Sequence, residues 1–134
     1  QLFYKMKNSQ WAREDNIIGL SAVAGVLSYI VVNSEGQSFA ALCAEGTEKP
    51  VVSELRFASL QKSRTLEELY IRMRRIIQQL KGNANVLSVA DDLLHWYQEI
   101  ILGKEETDTR NHILVHWGME YFQHEPEQKK SNKA

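Results

Sequence analysis

The chain has 134 residues, 43% of them hydrophobic and 25% charged, with 7 Gly, 2 Pro and 1 Cys. This excludes a collagen-like, low-complexity or disordered polypeptide, and it gives enough chain for a proper core without metal or disulfide staples. The formal net charge of −1 argues against a protein that coats itself in nucleic acid.

The first 13 residues carry Lys5, Lys7 and Arg13 and no acid. They interleave these bases with Phe3, Tyr4 and Trp11, a pattern compatible with base stacking plus phosphate contact and equally with aromatic anchors for a core. No basic stretch leads into a small-residue cleavage site, so secretion has no support. The start at Gln1 without a methionine suggests that a native N-terminal piece is missing. Asp15 is a plausible cap for a long apolar helix, Ile17 to Val32, with Gly19, Ser21 and Gly25 as small positions for close approach. Its sixteen residues fall short of the ~20 that a membrane span needs, and two serines and Tyr29 interrupt them. The segment therefore reads as a buried central helix, with no membrane role.

Asn33 to Gln37 is turn-forming and precedes a short helix, Phe39 to Ala44, ending near Gly46. Within it, the lone Cys43 can form no internal disulfide, and its alanine-rich context predicts a buried, unreactive thiol in a reducing, cytoplasmic setting. Pro50 sits where a first helical residue would, predicting a helix with Val51, Leu55, Phe57 and Ala58 on its apolar side. Thr65-x-x-Glu68 is a capping box, followed by Leu66, Leu69, Tyr70, Met73, Ile76, Ile77 and Leu80 at helical spacing, with Gly82 as terminator. Ser88 is the expected cap of the next helix, placing Asp91 and Asp92 in its first turn and Leu93, Leu94, Trp96, Tyr97, Ile100 and Ile101 on its buried side, up to Gly103. Asp108 or Thr109 starts a last helix through Ile113, Leu114, Trp117, Tyr121 and Phe122, before Pro126. No segment alternates with period two between hairpin turns, and Val31-Val32 and Val51-Val52 are too short to argue for a sheet. The expected class is all-α: a single compact helical bundle over 1–134, or two packed lobes, 1–46 and 47–134.

The near-neutral total conceals blocks. Residues 56–81 hold seven Lys and Arg against two Glu, whereas residues 82–128 hold nine acids against Lys104 and Arg110. Such segregation suits a subunit that touches a polyanion along one side and protein along another.

Enzymatic constellations fail on their own requirements. His112, His116 and Glu120 are four apart in succession, but Ile113 stands where a zincin needs Glu, and Asp92-x-x-His95 occurs once where a di-metal carboxylate bundle needs repeated pairs. Gly103-Lys104-Glu105 lacks the remaining parts of a phosphate-binding loop. No catalytic residue, metal or cofactor is expected. What survives is a basic stripe: Arg64, Arg72, Arg75 and Gln79 fall within one face at 3.6 residues per turn, with Arg56 and Lys62 supplied by the preceding element. That face could follow a phosphate backbone. It is also what a solvated helix face looks like, with Glu68 placed to pair with Arg72.

The ordered landmarks carry more than any one of them. Phe3-Tyr4-Lys5 and Trp11 precede the long apolar helix; Gly36-x-x-Phe39-Ala40-x-Leu42-Cys43-Ala44 and Glu54-Leu55-Arg56-Phe57-x-x-Leu60 follow it. Then come Ser63-Arg64-Thr65, Met73-Arg74-Arg75-Ile76-Ile77, Asp92-Leu93-Leu94-His95-Trp96, Trp117-x-x-x-Tyr121-Phe122 and the tail Lys130-Ser131-Asn132-Lys133. In this order the chain resembles, over nearly its whole length, the CasB family, the small subunit of the type I-E CRISPR surveillance complex Cascade. The resemblance implies an all-helical, non-catalytic subunit in antiviral defence. It would pair with a second copy of itself, lie beside the backbone and large subunits, and hold nucleic acid during R-loop formation. The family's basic contacts to the guide RNA–target DNA heteroduplex or the displaced strand would fall on Arg64 and Arg75 and, less closely aligned, on Arg13. The reading from another class is a helical assembly module without a nucleic-acid role.

Overall fold

The computed structural model describes residues 17–104 and 111–126. Its elements in chain order are α1 (Ile17–Leu27), β1 (Val32–Asn33), α2 (Phe39–Ala44), α3 (Glu54–Gln61), α4 (Leu66–Gln79), β2 (Asn83–Ala84), α5 (Val86–Trp96), a π-helical continuation (Tyr97–Ile101) and α6 (Ile113–Gln123). The fold is mostly α, as expected, with a minimal sheet added. Asp15, Arg13 and the aromatic–basic N-terminal segment lie outside the described residues, as do Asp108, Thr109 and the lysine-bearing tail.

The long apolar segment does not stay helical to Val32. α1 ends at Leu27, where the backbone tightens through Tyr29 N–H to Val26 O (3.1 Å) and Ile30 N–H to Leu27 O (3.0 Å). The run Ile30-Val31-Val32 is β-branched and favours extended backbone. It finds partners at the end of α4, where Val31 and Val32 both donate to Gly82 O (2.8 and 3.0 Å), and Val32 and Asn33 pair in parallel with Asn83 and Ala84. Gly82 has φ +78°, and a Cβ there would stand 2.8 Å from Val31 Cγ2. The left-handed end of α4 is entered one residue before the anticipated terminator, at Lys81 (φ 58°), and Gly82 continues it and provides the close approach that seats β1.

Three other helix starts show why local sequence misleads. Ser53, not Pro50, caps α3, its Oγ accepting from Arg56 N (3.2 Å). That phase buries Phe57 and Leu60 and leaves Leu55 82% exposed, reversing its expected place in the core. Asn85, not Ser88, caps α5: its Oδ1 accepts from Ser88 N (3.1 Å) while its Nδ2 donates to Gln37 O (2.9 Å). Ser88 Oγ instead accepts from Phe39 N (2.9 Å) at the start of α2. Asp91 and Asp92 therefore fall beyond the first turn of α5. α6 begins after His112, with Glu99 Oε1 accepting from Ile113 N (2.8 Å). The expected capping box is present: Thr65 Oγ1 accepts from Glu68 N (3.1 Å) and Glu68 Oε1 from Thr65 N (3.3 Å).

One hydrophobic cluster draws on α1 through α6. At its centre Phe57 stacks on Tyr121 with ring centroids 4.4 Å apart, while Phe39 and Phe57 both pack against Trp117. Tyr121 Oη donates to the buried Val52 carbonyl (2.6 Å), tying α6 to the segment before α3. Cys43 is fully buried and its thiol pKa is pushed well up by desolvation, as its alanine neighbours foretold. Phe122 and Ile101, expected inside, are exposed in part. Among the described residues no helix is long and apolar enough to cross a membrane.

Candidate nucleic-acid interface

The capping box fixes where α4 begins and therefore which way its arginines point. With Leu69, Met73, Ile76 and Ile77 turned into the core, Arg72 and Arg75, three apart, share the flank beside α3. α3 buries Phe57 and Leu60 and sends Arg56 outward. The two helices enclose an open groove of about 310 Å³ walled by Arg56, Arg72 and Arg75, with Ser53, Ser59, Leu55 and Ile76 between them. None of these lining residues is acidic.

Arg72 is held in place. Its Nη1 donates to Ser59 O and to Ser63 Oγ, both at 3.1 Å. Arg64 reaches the same turn, its Nη1 donating to Ser63 O (2.9 Å) and Gln61 O (3.2 Å). Both guanidinium groups thus sit against the carbonyl end of α3, where a helix dipole favours cations. Lys62 is exposed at the C-cap of α3, its backbone N–H on Ala58 O and Ser59 O.

The sequence-predicted site residues therefore divide. Arg56, Arg72 and Arg75 meet at one groove. Arg64 precedes the N-cap of α4 and so lies off the helical stripe that spacing suggested, yet it joins Arg72 through Ser63. Arg13 is outside the described residues. The expected Glu68–Arg72 pairing survives only as an attraction at a distance: Glu68 Oε1 accepts from Arg64 N (2.9 Å) and Thr65 N, which together with the charges of Arg72 and Arg64 hold its carboxyl below the usual range, while the hydrogen bonds of Arg72 go to Ser59 and Ser63. Sequence reasoning missed Ser59, Ser63 and the outward Leu55. Reading Ser53 as the cap would have placed Leu55 correctly, because Phe57 and Leu60 are then the three-apart pair that must go inside.

Two histidines stand four residues before a glutamate, one pair largely buried and the other more exposed. His95 sits against Glu99, and His116 Nε2 is 3.5 Å from Glu120 Oε1. Asp92 turns inward between α5 and α6 and accepts from Trp117 Nε1 (2.8 Å); burial lifts its carboxyl pKa to about 6. Among the described residues no group of three or more His, Cys, Asp or Glu is placed to hold a metal ion.

Fold and site together describe a small helical protein in which, among the described residues, three arginines wall one groove between two consecutive helices. Against known families, the model for CRISPR-associated protein Cse2 matches residues 1–122. The chain belongs to the Cse2 family, the family its ordered landmarks resemble, and is thereby a subunit of a CRISPR Cascade complex. No curated protein and no solved structure matches it significantly.

Proposed function

We propose that the chain is a non-catalytic Cascade subunit that binds nucleic-acid backbone and stabilises the R-loop, with Arg56, Arg72 and Arg75 as the central contacts and Lys62 and Arg64 as the flank. The observation that carries this reading is that three arginines line one groove whose lining includes no acidic residue. Guanidinium forks match phosphate oxygens, and they remain charged at any physiological pH. Phosphate contacts hold a strand without reading its sequence, which suits a subunit working beside a guide RNA that does the reading by base pairing. R-loop formation exchanges a DNA duplex for a heteroduplex of similar stability, so a few sequence-blind contacts are enough to tip it. The partners in this reading are the heteroduplex or the displaced strand, a second copy of the chain, and the backbone and large subunits of the complex, all in the cytoplasm.

The test is the salt dependence of binding to single-stranded DNA and to an RNA–DNA heteroduplex. Each neutralised phosphate contributes a slope of about 0.7 on a single strand and 0.9 on a duplex. The triple variant R56A/R72A/R75A is expected to flatten the log–log slope by about 2 to 3 while binding falls alike across sequences. An unchanged slope would move the assignment to a helical assembly module whose arginines merely brace α3 against α4.

A further inference from the structure

Among the described residues, Ser63 is the polar side chain that the fold buries completely, at 0% exposure. A hydroxyl at such a position is costly unless it is hydrogen-bonded. Its bond is to Arg72 Nη1 (3.1 Å), and the same nitrogen reaches Ser59 O (3.1 Å). Among the described residues, Arg72 Nε and Nη2 make no hydrogen bond of their own. An arginine side chain loses substantial rotamer freedom when it is fixed. Here that ordering is completed in the folded protein, before any ligand arrives.

We infer that Ser63 is a positioning residue for anion binding: it locks one nitrogen of Arg72 so that the rest of the guanidinium faces the groove shared with Arg56 and Arg75. The inference rests on the nucleic-acid reading above and adds to it a buried residue that touches no ligand. Arg56 and Arg75 are exposed and supply charge, whereas Arg72 supplies a fork tied by two hydrogen bonds. The turn between α3 and α4 thereby sets the geometry of the site, and the backbone carbonyl of Ser63 holds Arg64 at its margin in the same way.

The experiment is a double-mutant cycle on the full chain, read as the dissociation constant for a short oligothymidylate at several salt concentrations. Ser63→Ala and the nearly isosteric Ser63→Cys, whose thiol is a weak acceptor, each remove the lock without removing charge. Each is expected to weaken binding about three- to tenfold at fixed salt, the factor that one hydrogen bond is worth, with the salt slope unchanged. In an Arg72→Ala background neither should weaken binding further. Wild-type affinity of both Ser63 variants, or an equal loss with and without Arg72, overturns the inference. The nucleic-acid reading stands or falls separately, on whether R56A/R72A/R75A flattens the slope. Should Ser63→Ala fail to fold, Ser63→Cys alone completes the cycle.

Discussion

Single residues here hold positions that their own chemistry opposes, and the opposition is measurable. Asp92 is a carboxyl turned into the α5–α6 contact to accept from Trp117 Nε1, with its pKa raised from 3.8 to about 6 chiefly by desolvation. Below pH 4 the folded and unfolded chains both carry it protonated. Between pH 4 and 6 the unfolded chain ionises first, so the folded state binds more protons and stability falls as pH rises, by roughly 1–3 kcal/mol in all. Above about pH 7 both states are ionised and the loss is complete. Asp92→Asn keeps an acceptor for Trp117 and removes the charge. Urea denaturation should find the variant more stable than the parent above pH 7, with the difference vanishing below pH 4; a difference independent of pH would contradict the assignment.

The arginines show the limits of spacing at the same scale. Arg72 and Arg75 are three apart on a helix whose start is announced by a capping box, and their shared flank is legible without a structure. Arg64 lies before that box, so its nearness to Arg72 follows from a turn whose shape is written in two carbonyls and a buried hydroxyl. No periodicity encodes that.

Elements form where local signals and tertiary demands agree, and their boundaries move where the two diverge. α4 has one strong cap and one strong terminator, and its limits are close to those its sequence predicts. α5 is capped by Asn85 and not by the expected Ser88, a residue of nearly equal intrinsic merit. The choice is made by Gln37 O and Phe39 N, partners some fifty positions away along the chain. α1 ends early because an apolar β-branched run continues a helix pattern as readily as it starts a strand, and only the Gly82 carbonyl decides. These decisions are non-local, which is why the sequence leaves them open.

The small residues of α1 give a comparison at this scale. A Cβ on Gly19 would stand 2.8 Å from the ring of Tyr97, which is buried, whereas a Cβ on Gly25 would stand 2.9 Å from the ring of Tyr70, which is only partly buried. Gly19→Ala is expected to cost about 1–3 kcal/mol through overpacking. Gly25→Ala should come out near neutral, because Tyr70 can swing outward and the change gains about 1 kcal/mol of helix propensity. Thermal or urea unfolding of the two variants side by side checks this, and a larger loss at Gly25 would contradict the packing described.

In the whole molecule, charge and core are laid out separately. The aromatic centre formed by Phe39, Phe57, Trp117 and Tyr121 joins α2, α3 and α6. The basic groove lies on the other side of α3, against α4. Such a division lets the surface charge of the groove be altered with little effect on folding, since exposed substitutions away from caps and core shift stability by less than about 0.5 kcal/mol. Arg72, with its two bonds to α3, is the member of the trio whose loss should be felt. The family assignment gives the molecule its place in a Cascade complex; what that groove does there is the central claim.

The most direct test is R-loop lifetime in a complex assembled with R56A/R72A/R75A in place of the parent chain, measured across a range of salt concentrations. The account predicts normal assembly and guide-RNA binding, a shorter-lived R-loop on every target sequence tried, and a weaker dependence of that lifetime on salt. A complex that assembles normally and keeps both R-loop lifetime and salt dependence unchanged would contradict it.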